Sequence, residues 1–161
     1  MYTYITIGSF EYLKGIELKY PAESMVTMIN ENGALLLHET SKPSVFKEPR
    51  KFEILSWSGT LIKEGFGVLN YVPINEESSP LFEHQFKNLP SLVKTEEGFR
   101  SIRVLRPLSS NSYIILSIWE DERTYDKSVL QSEIKKRYEI VTQSNMFTSA
   151  PYASKYHIPA E

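Results

Sequence analysis

Cysteine is absent from the sequence. That excludes disulfides, thiolate nucleophiles and cysteine-ligated zinc or iron-sulfur sites, and it fits a reducing cytoplasm. Long hydrophobic runs are missing too: none approaches the ~20 apolar residues that cross a bilayer. The N-terminus, Met1 to Ile7, has no basic region followed by a long apolar stretch, so neither membrane insertion nor secretion is expected. Charge of one sign is scarce. Eighteen Lys and Arg against 20 Asp and Glu leave a net charge of −2, with no concentrated basic stripe to meet a phosphate backbone, so nucleic acid is not an expected partner. The three histidines, His38, His84 and His157, do not converge from any single element, and no metal cage is expected. Nucleophile elbow, phosphate-binding loop, dinucleotide-binding glycine pattern and EF-hand are all lacking.

What is present is an ordinary globular composition, 41% hydrophobic and 24% charged over 161 residues, enough for one domain or two small associated ones. Residues Tyr2 to Ile7 alternate β-branched and aromatic types and predict a strand ended by Gly8. Ser9 caps a short helix carrying Phe10, Leu13 and Ile16, which Pro21 closes. Met25 to Ile29 and Ala34 to His38 flank Asn30 to Gly33, the signature of a hairpin. From Val45 to Trp57 the spacing is mixed, and either a strand or a short helix fits. His38 reads as an edge histidine bonded to a carboxylate, with Glu39 beside it.

The pattern then restarts more cleanly. Gly67 to Val72 predicts a strand. Ser79 as N-cap with Pro80 at the first helical position starts a helix whose Phe82, Phe86, Leu89 and Val93 form one stripe. It ends at Gly98, and His84 falls on its outer face. Phe99 to Leu108 and Ser112 to Trp119 form a hairpin. Asp121 caps a helix to about Ile140, with Leu130, Ile134, Tyr138 and Val141 on one face, and Tyr152 to Ile158 is a last strand. Strand, helix, hairpin, helix, strand is the split βαβ order. The expected architecture is α+β: a ferredoxin-like βαββαβ domain over residues 64–161. A smaller N-terminal β-α-hairpin domain over residues 1–63, an incomplete copy of the same plan, packs against its sheet.

Two residues invite a chemical reading. Asn70 is a carboxamide in mid-strand between Val68 and Val72, where propensity disfavours it. If buried it must find a partner, either a neighbouring backbone group or a ligand between sheet and helices. Tyr138 lies on the buried face of the last helix, as core or as a phenolate ligand for heme iron if a nearby cation lowers its pKa. The run Lys135, Lys136, Arg137 is a solvated face or a receiver of ligand carboxylates.

Gly65 to Asn70, then Pro80 to Asn88, then Gly98 to Leu108, and the strand ending Trp119, Glu120 together resemble the HmoB-type heme-degrading monooxygenases of bacilli. They also resemble the related staphylococcal TRAP protein, within the antibiotic-biosynthesis monooxygenase superfamily. The likeness reaches the N-terminal half through Tyr4 to Gly8 and Leu36 to Thr40. It implies heme, as cofactor and substrate, held between sheet and helices, with dioxygen and an external electron donor opening the ring and releasing iron. Asn70 matches the family's strand asparagine, which hydrogen-bonds the dioxygen. Ser128, nine residues after Trp119, replaces the tryptophan that presses on the ring, and Tyr138, ten residues further, replaces the axial histidine. The resemblance thus implies Asn70 as catalytic, Asn70, Ser128 and Tyr138 as heme-binding, and Tyr138 as the iron ligand. Losing the indole removes a cause of ring distortion, and phenol for imidazole changes charge and donor strength at iron. Burial of an apolar macrocycle supplies affinity regardless. A TRAP-like non-catalytic regulatory or stress protein of the same fold is the alternative, and a cofactor-free monooxygenase is a third. With the N-terminal half supplying the sheet surface that a second subunit supplies in single-domain relatives, a monomer acting as a pseudo-dimer is expected.

Overall fold

The computed structural model describes residues 1–47, 49–143 and 151–159, with the side chains of residues 141–143, Val141 of the last helical stripe among them, outside the described residues. In the first half β1 (Tyr2–Gly8), α1 (Phe10–Lys19), β2 (Ser24–Asn30), β3 (Gly33–Thr40) and β4 (Arg50–Gly59) follow in order. The second half has β5 (Gly65–Pro73), α2 (Ser79–Phe86), α3 (Leu89–Val93), β6 (Phe99–Pro107) and β7 (Ser112–Trp119), then α4 (Glu122–Lys127), α5 (Leu130–Gln143) and β8 (Tyr152–Ile158).

The eight strands close into one barrel in the order β1-β3-β2-β8-β5-β7-β6-β4, every neighbouring pair antiparallel. Read around the barrel, β4, β1, β3, β2 are followed by β8, β5, β7, β6, so both halves have the same ferredoxin-like strand order. The N-terminal half is therefore not a smaller body laid against the C-terminal sheet but half of the barrel wall. The reason is the cost of open edges: a four-stranded sheet leaves unpaired N–H and C=O groups at both sides, and closure removes them. One seam runs from Phe52↔Pro107 to Gly59↔Ser101 between β4 and β6, and the other joins Ile29 of β2 to His157 of β8. This also resolves the ambiguous stretch from Val45: its second part is a strand because two neighbours need one. The link between β4 and β5 contains the 63/64 division.

Alternation along the strands sorts side chains into an interior and an outer layer. Ile5, Met28, Leu37, Phe52, Leu69 and Leu116 fill the barrel. Val68, Val72, Val104 and Ile115 face outward under α2, α3, α4 and α5, where Phe82, Phe86, Leu89, Val93 and Ile134 complete a second core. A third, smaller cluster of Leu13, Met25, Ala34 and Leu36 lies under α1.

Local details differ from the sequence reading in instructive places. The α2 N-cap is Ser78, one residue early, after a 3-10 turn at Glu76–Ser78 capped by Asn75. The single long helix expected after it is two, because Pro90 starts a new helix after Asn88, yet the four residues of its stripe are all buried. The helix from Asp121 also divides. A capping box between Asp121 and Thr124 opens α4, and Ser128 closes it. On α1, Phe10 is 37% exposed, while Glu17 is buried beside Leu13, accepting hydrogen bonds from Thr27 N and Oγ1. His38 is not at an edge. It is fully buried on β3 between β1 and β2, and its carboxylate partner is Glu23, 2.9 Å from Nε2, while Glu39 pairs with Arg103 at 2.7 Å. His84 is exposed on α2.

Candidate functional site

The main chain of Asn70 is taken up by the sheet, opposite Ile115 of β7 on one side and Ala153 of β8 on the other. Its side chain points outward with Val68 and Val72, toward the helices, and is 7% exposed. The backbone-bonded reading of this carboxamide is not what the structure shows: Nδ2 is buried and has no hydrogen-bond partner among the described residues. An unpaired buried donor costs about 1–3 kcal/mol, so its position calls for a reason. Other buried polar atoms without partners, among them Trp119 Nε1 and His38 Nδ1, line none of the clefts described below. Asn70 does: it forms part of the wall of a cavity of about 310 Å³ bounded by Tyr125, Ile134, Tyr138, Ala153 and Lys155.

The two helices of the β7–β8 connection supply the opposite wall. Tyr125 is fixed on α4 by caps at both ends: Thr124 N donates to Asp121 Oδ1 at 2.9 Å, and the Ser128 hydroxyl donates to Tyr125 O at 2.7 Å. Its ring lies 5.9 Å from those of both Phe66 and Trp119. On α5, Ile134 and Tyr138 fall one turn apart on the inner face, with the Tyr138 ring 6.3 Å from Phe86. Arg137 turns away and ties α5 to α2, donating to Gln85 O at 2.8 Å and pairing with Glu133 at 2.7 Å. Of the basic run, Lys136 also meets Glu133, and Lys135 is the member that lines the cavity.

The phenols here are held protonated. Burial, and then the neighbouring Tyr125, push Tyr138 well above the ordinary tyrosine value. Burial raises Tyr125 as well, opposed by the Asn70 carboxamide. Both side chains line the same cavity. Lys155 closes the rim, its Nζ 5.9 Å from the Tyr125 ring centroid and 3.3 Å from Glu122. A shielded amide donor, neutral phenols and a small apolar patch of Ile134 and Ala153 suit an apolar ligand with a hydrogen-bond acceptor, and the rim sets Lys135 and Lys155 beside Asp126 and Gln131.

The structure thus brings Asn70 and Tyr138 together and leaves Ser128 aside. Ser128 is the C-cap of α4, its hydroxyl committed to Tyr125 O and to the Leu130 amide, and it is not among the residues lining the cavity. Tyr125 is the site residue that sequence reasoning missed. Four clefts are larger, and the two largest, of about 710 and 740 Å³, are less suited to such a ligand. One gathers Glu64, Glu120, Asp121 and Glu122 with Arg100 and His157. In the other, Arg106 and the Tyr113 hydroxyl are already bound to Glu83. Among the described residues no group of His, Asp or Glu could hold a metal ion, and no helix is long and apolar enough to cross a membrane.

Comparison with known proteins bears on this geometry. Residues 65–136 match the antibiotic biosynthesis monooxygenase family. The whole chain is similar to a heme-degrading monooxygenase of Listeria monocytogenes, 25% identical over 161 residues that cover 97% of this chain and 93% of the relative. It is similar to the signal transduction protein TRAP of Staphylococcus aureus at 23% identity over 153 residues, 95% and 92% of the two chains. A solved structure described as a major regulator of staphylococcal pathogenesis superposes with a TM-score of 0.87 at 18% identity, covering 99% of this chain and 100% of its own.

Proposed function

We propose, from the match of residues 65–136 to the antibiotic biosynthesis monooxygenase family, that this chain binds heme beside Asn70 and opens the macrocycle with dioxygen and an external reductant. The observation that carries the reading is the buried, unpartnered Nδ2 of Asn70 in the wall of a ligand-sized cavity. The Listeria relative's activity supports the choice of ligand.

Bound heme supplies the redox chemistry and is itself consumed. The chain's residues do the rest. Asn70 offers a preorganised N–H where an oxygen acceptor enters, at no reorganisation cost. Ile134 and Ala153 would give the macrocycle an apolar wall, and Lys135 and Lys155, beside Asp126 at the same rim, would receive its carboxylates. At about 310 Å³ the cavity sits at the small end of the ~300–1,000 Å³ typical of ligand sites, so it would enclose only part of the macrocycle. Tyr138 is the candidate iron ligand. Burial favours its neutral form, so Tyr138 would hold iron only with loss of its phenolic proton. Ser128, turned to the backbone, presses on nothing.

The test is a hemin titration by absorbance followed by ascorbate in air. A saturable Soret band that bleaches with release of iron is the expected result. No saturable band would overturn it in favour of the non-catalytic, TRAP-like alternative. Because one chain supplies both halves of the barrel, we also propose a monomer: light scattering should give 18.6 kDa, and twice that mass would contradict it.

A further inference from the structure

We infer that the ligand site extends past the cavity into the groove over the β2–β8 seam, and that the Lys155 side chain is the movable partition between the two. The inference rests on the heme reading above and assigns a place to the part of the macrocycle that the cavity does not enclose.

Its basis is a shared wall. The groove, of about 510 Å³, opens between the β2–β3 turn and the start of α4, and two of its lining residues, Ala153 and Lys155, also line the cavity. Both voids lie on the outer face of the sheet: Ala153 pairs with Asn70, Lys155 with Val68 and His157 with Phe66, and cross-strand partners point to one side. Ala153 contributes only a methyl group, so the Lys155 side chain is what separates the two spaces. Its flexible four-carbon stem is drawn to α4 by Glu122 at 3.3 Å, and the two side chains are 48% and 55% exposed. An ion pair this open to water is weak, and a ligand carboxylate can take the place of Glu122. Lys155 then moves with that carboxylate, and cavity and groove become one space. Charge decides which edge of the ring enters the groove. Beyond Lys155 the groove carries two carboxylates, Glu31 and Glu122, against the His157 imidazole, over a floor that includes Ile29 and Phe66. The carboxylate-free edge therefore lies over Phe66 and Ala153 toward the β2–β3 turn, and the N-terminal half contributes to the site through that turn.

The experiment uses the absence of cysteine. Asn32 is exposed and lines the groove but not the cavity. Its hydrogen bond to Asn30 Oδ1 comes from the main chain, so Asn32→Cys keeps the turn and offers one thiol to label in the folded protein. Hemin is titrated by absorbance into this variant capped with N-methylmaleimide, and into the same variant capped with a bulky colourless maleimide. The bulky cap should lower hemin affinity by about tenfold relative to the small one, because the ring edge loses its apolar floor. Equal affinities would overturn the inference and leave the heme reading standing. Association of hemin is also followed by stopped flow in Glu122→Gln and Glu31→Gln. Each removes one groove charge, but only Glu122→Gln frees Lys155, and it should bind about threefold faster than Glu31→Gln. Equal rates would overturn the inference as well. Absence of hemin binding by wild type would instead overturn the heme reading, and this inference with it.

Discussion

The two halves of the barrel share a strand order and differ in what covers it. Over the C-terminal half lie the two connections carrying α2 to α5, and the cavity opens between β5, β8 and the β7–β8 connection. The N-terminal half has a cleft of about 400 Å³ in the corresponding place, lined by Tyr2 and Tyr4 of β1, Lys51 of β4 and parts of the β3–β4 connection. That connection has no helix among its described residues. The polar groups of this cleft are largely engaged: the Tyr4 hydroxyl donates to Lys42 O at 3.2 Å, and Lys51 Nζ sits 4.4 Å from the Tyr2 ring centroid. His38 Nδ1 is buried without a partner, but the rings of Tyr4 and Phe46 stand 6.2 and 5.7 Å from the imidazole, and His38 is not among the lining residues. Repeating a sheet does not repeat a site. The site needs a buried donor left unpaired and helices that shelter it.

Three perturbations sharpen this contrast. The largest is Phe86→Ala in the thick helical layer, where Phe86 stacks on Phe82 at 4.4 Å. It should cost about 3–5 kcal/mol in chemical denaturation, and Leu13→Ala, in the thin layer under α1, should fall in the lower part of the ~2–5 kcal/mol range. Both should unfold in one transition, because each half pairs the other's edge strands; two separate transitions would break the view of the barrel as one unit. Next is Glu17→Ala, which leaves the buried amide and hydroxyl of Thr27 without their acceptor. About 1–3 kcal/mol should be lost, and a neutral result would mean that water replaces the carboxylate.

The smallest effect is expected at the seam between the halves, where Arg106 holds Glu83 of α2 and Glu53 of β4. The Arg106 guanidinium, helped by the Tyr113 hydroxyl, keeps Glu83 below the ordinary glutamate value of 4.5. Below 4.5 the unfolded chain takes up a proton that the native state still refuses. This contribution is therefore complete above 4.5 and fades as pH falls through the depressed native value. Acid unfolding curves of wild type and Glu83→Gln should diverge above 4.5 and converge in strong acid, and parallel curves would contradict the assignment.

How much of this was legible beforehand depended on range. Local signals were sound: Ser9, Asp121 and Gly33 mark the ends they should, and the stripe from Phe82 to Val93 is core although Pro90 breaks its helix. Barrel closure was not legible, since it rests on pairs such as Ile54↔Leu105 and Ile29↔His157 that no local pattern encodes. Tyr125 was missed for a geometric reason. On one continuous helix, at about 100° per residue, it falls roughly 140° away from Tyr138 and off the site. The break at Ser128 brings it back. Asn70 was conspicuous because a carboxamide is out of place in that strand, but its lack of a partner could only be seen once the helices were in place.

The most direct test of the contrast between the halves is a hemin titration of Asn70→Leu and Lys51→Ala beside wild type, read at the Soret band. The expected result is weakened binding in Asn70→Leu and a wild-type curve for Lys51→Ala. Weakened binding in Lys51→Ala with Asn70→Leu unchanged would place the ligand over the N-terminal half and contradict the assignment of the site.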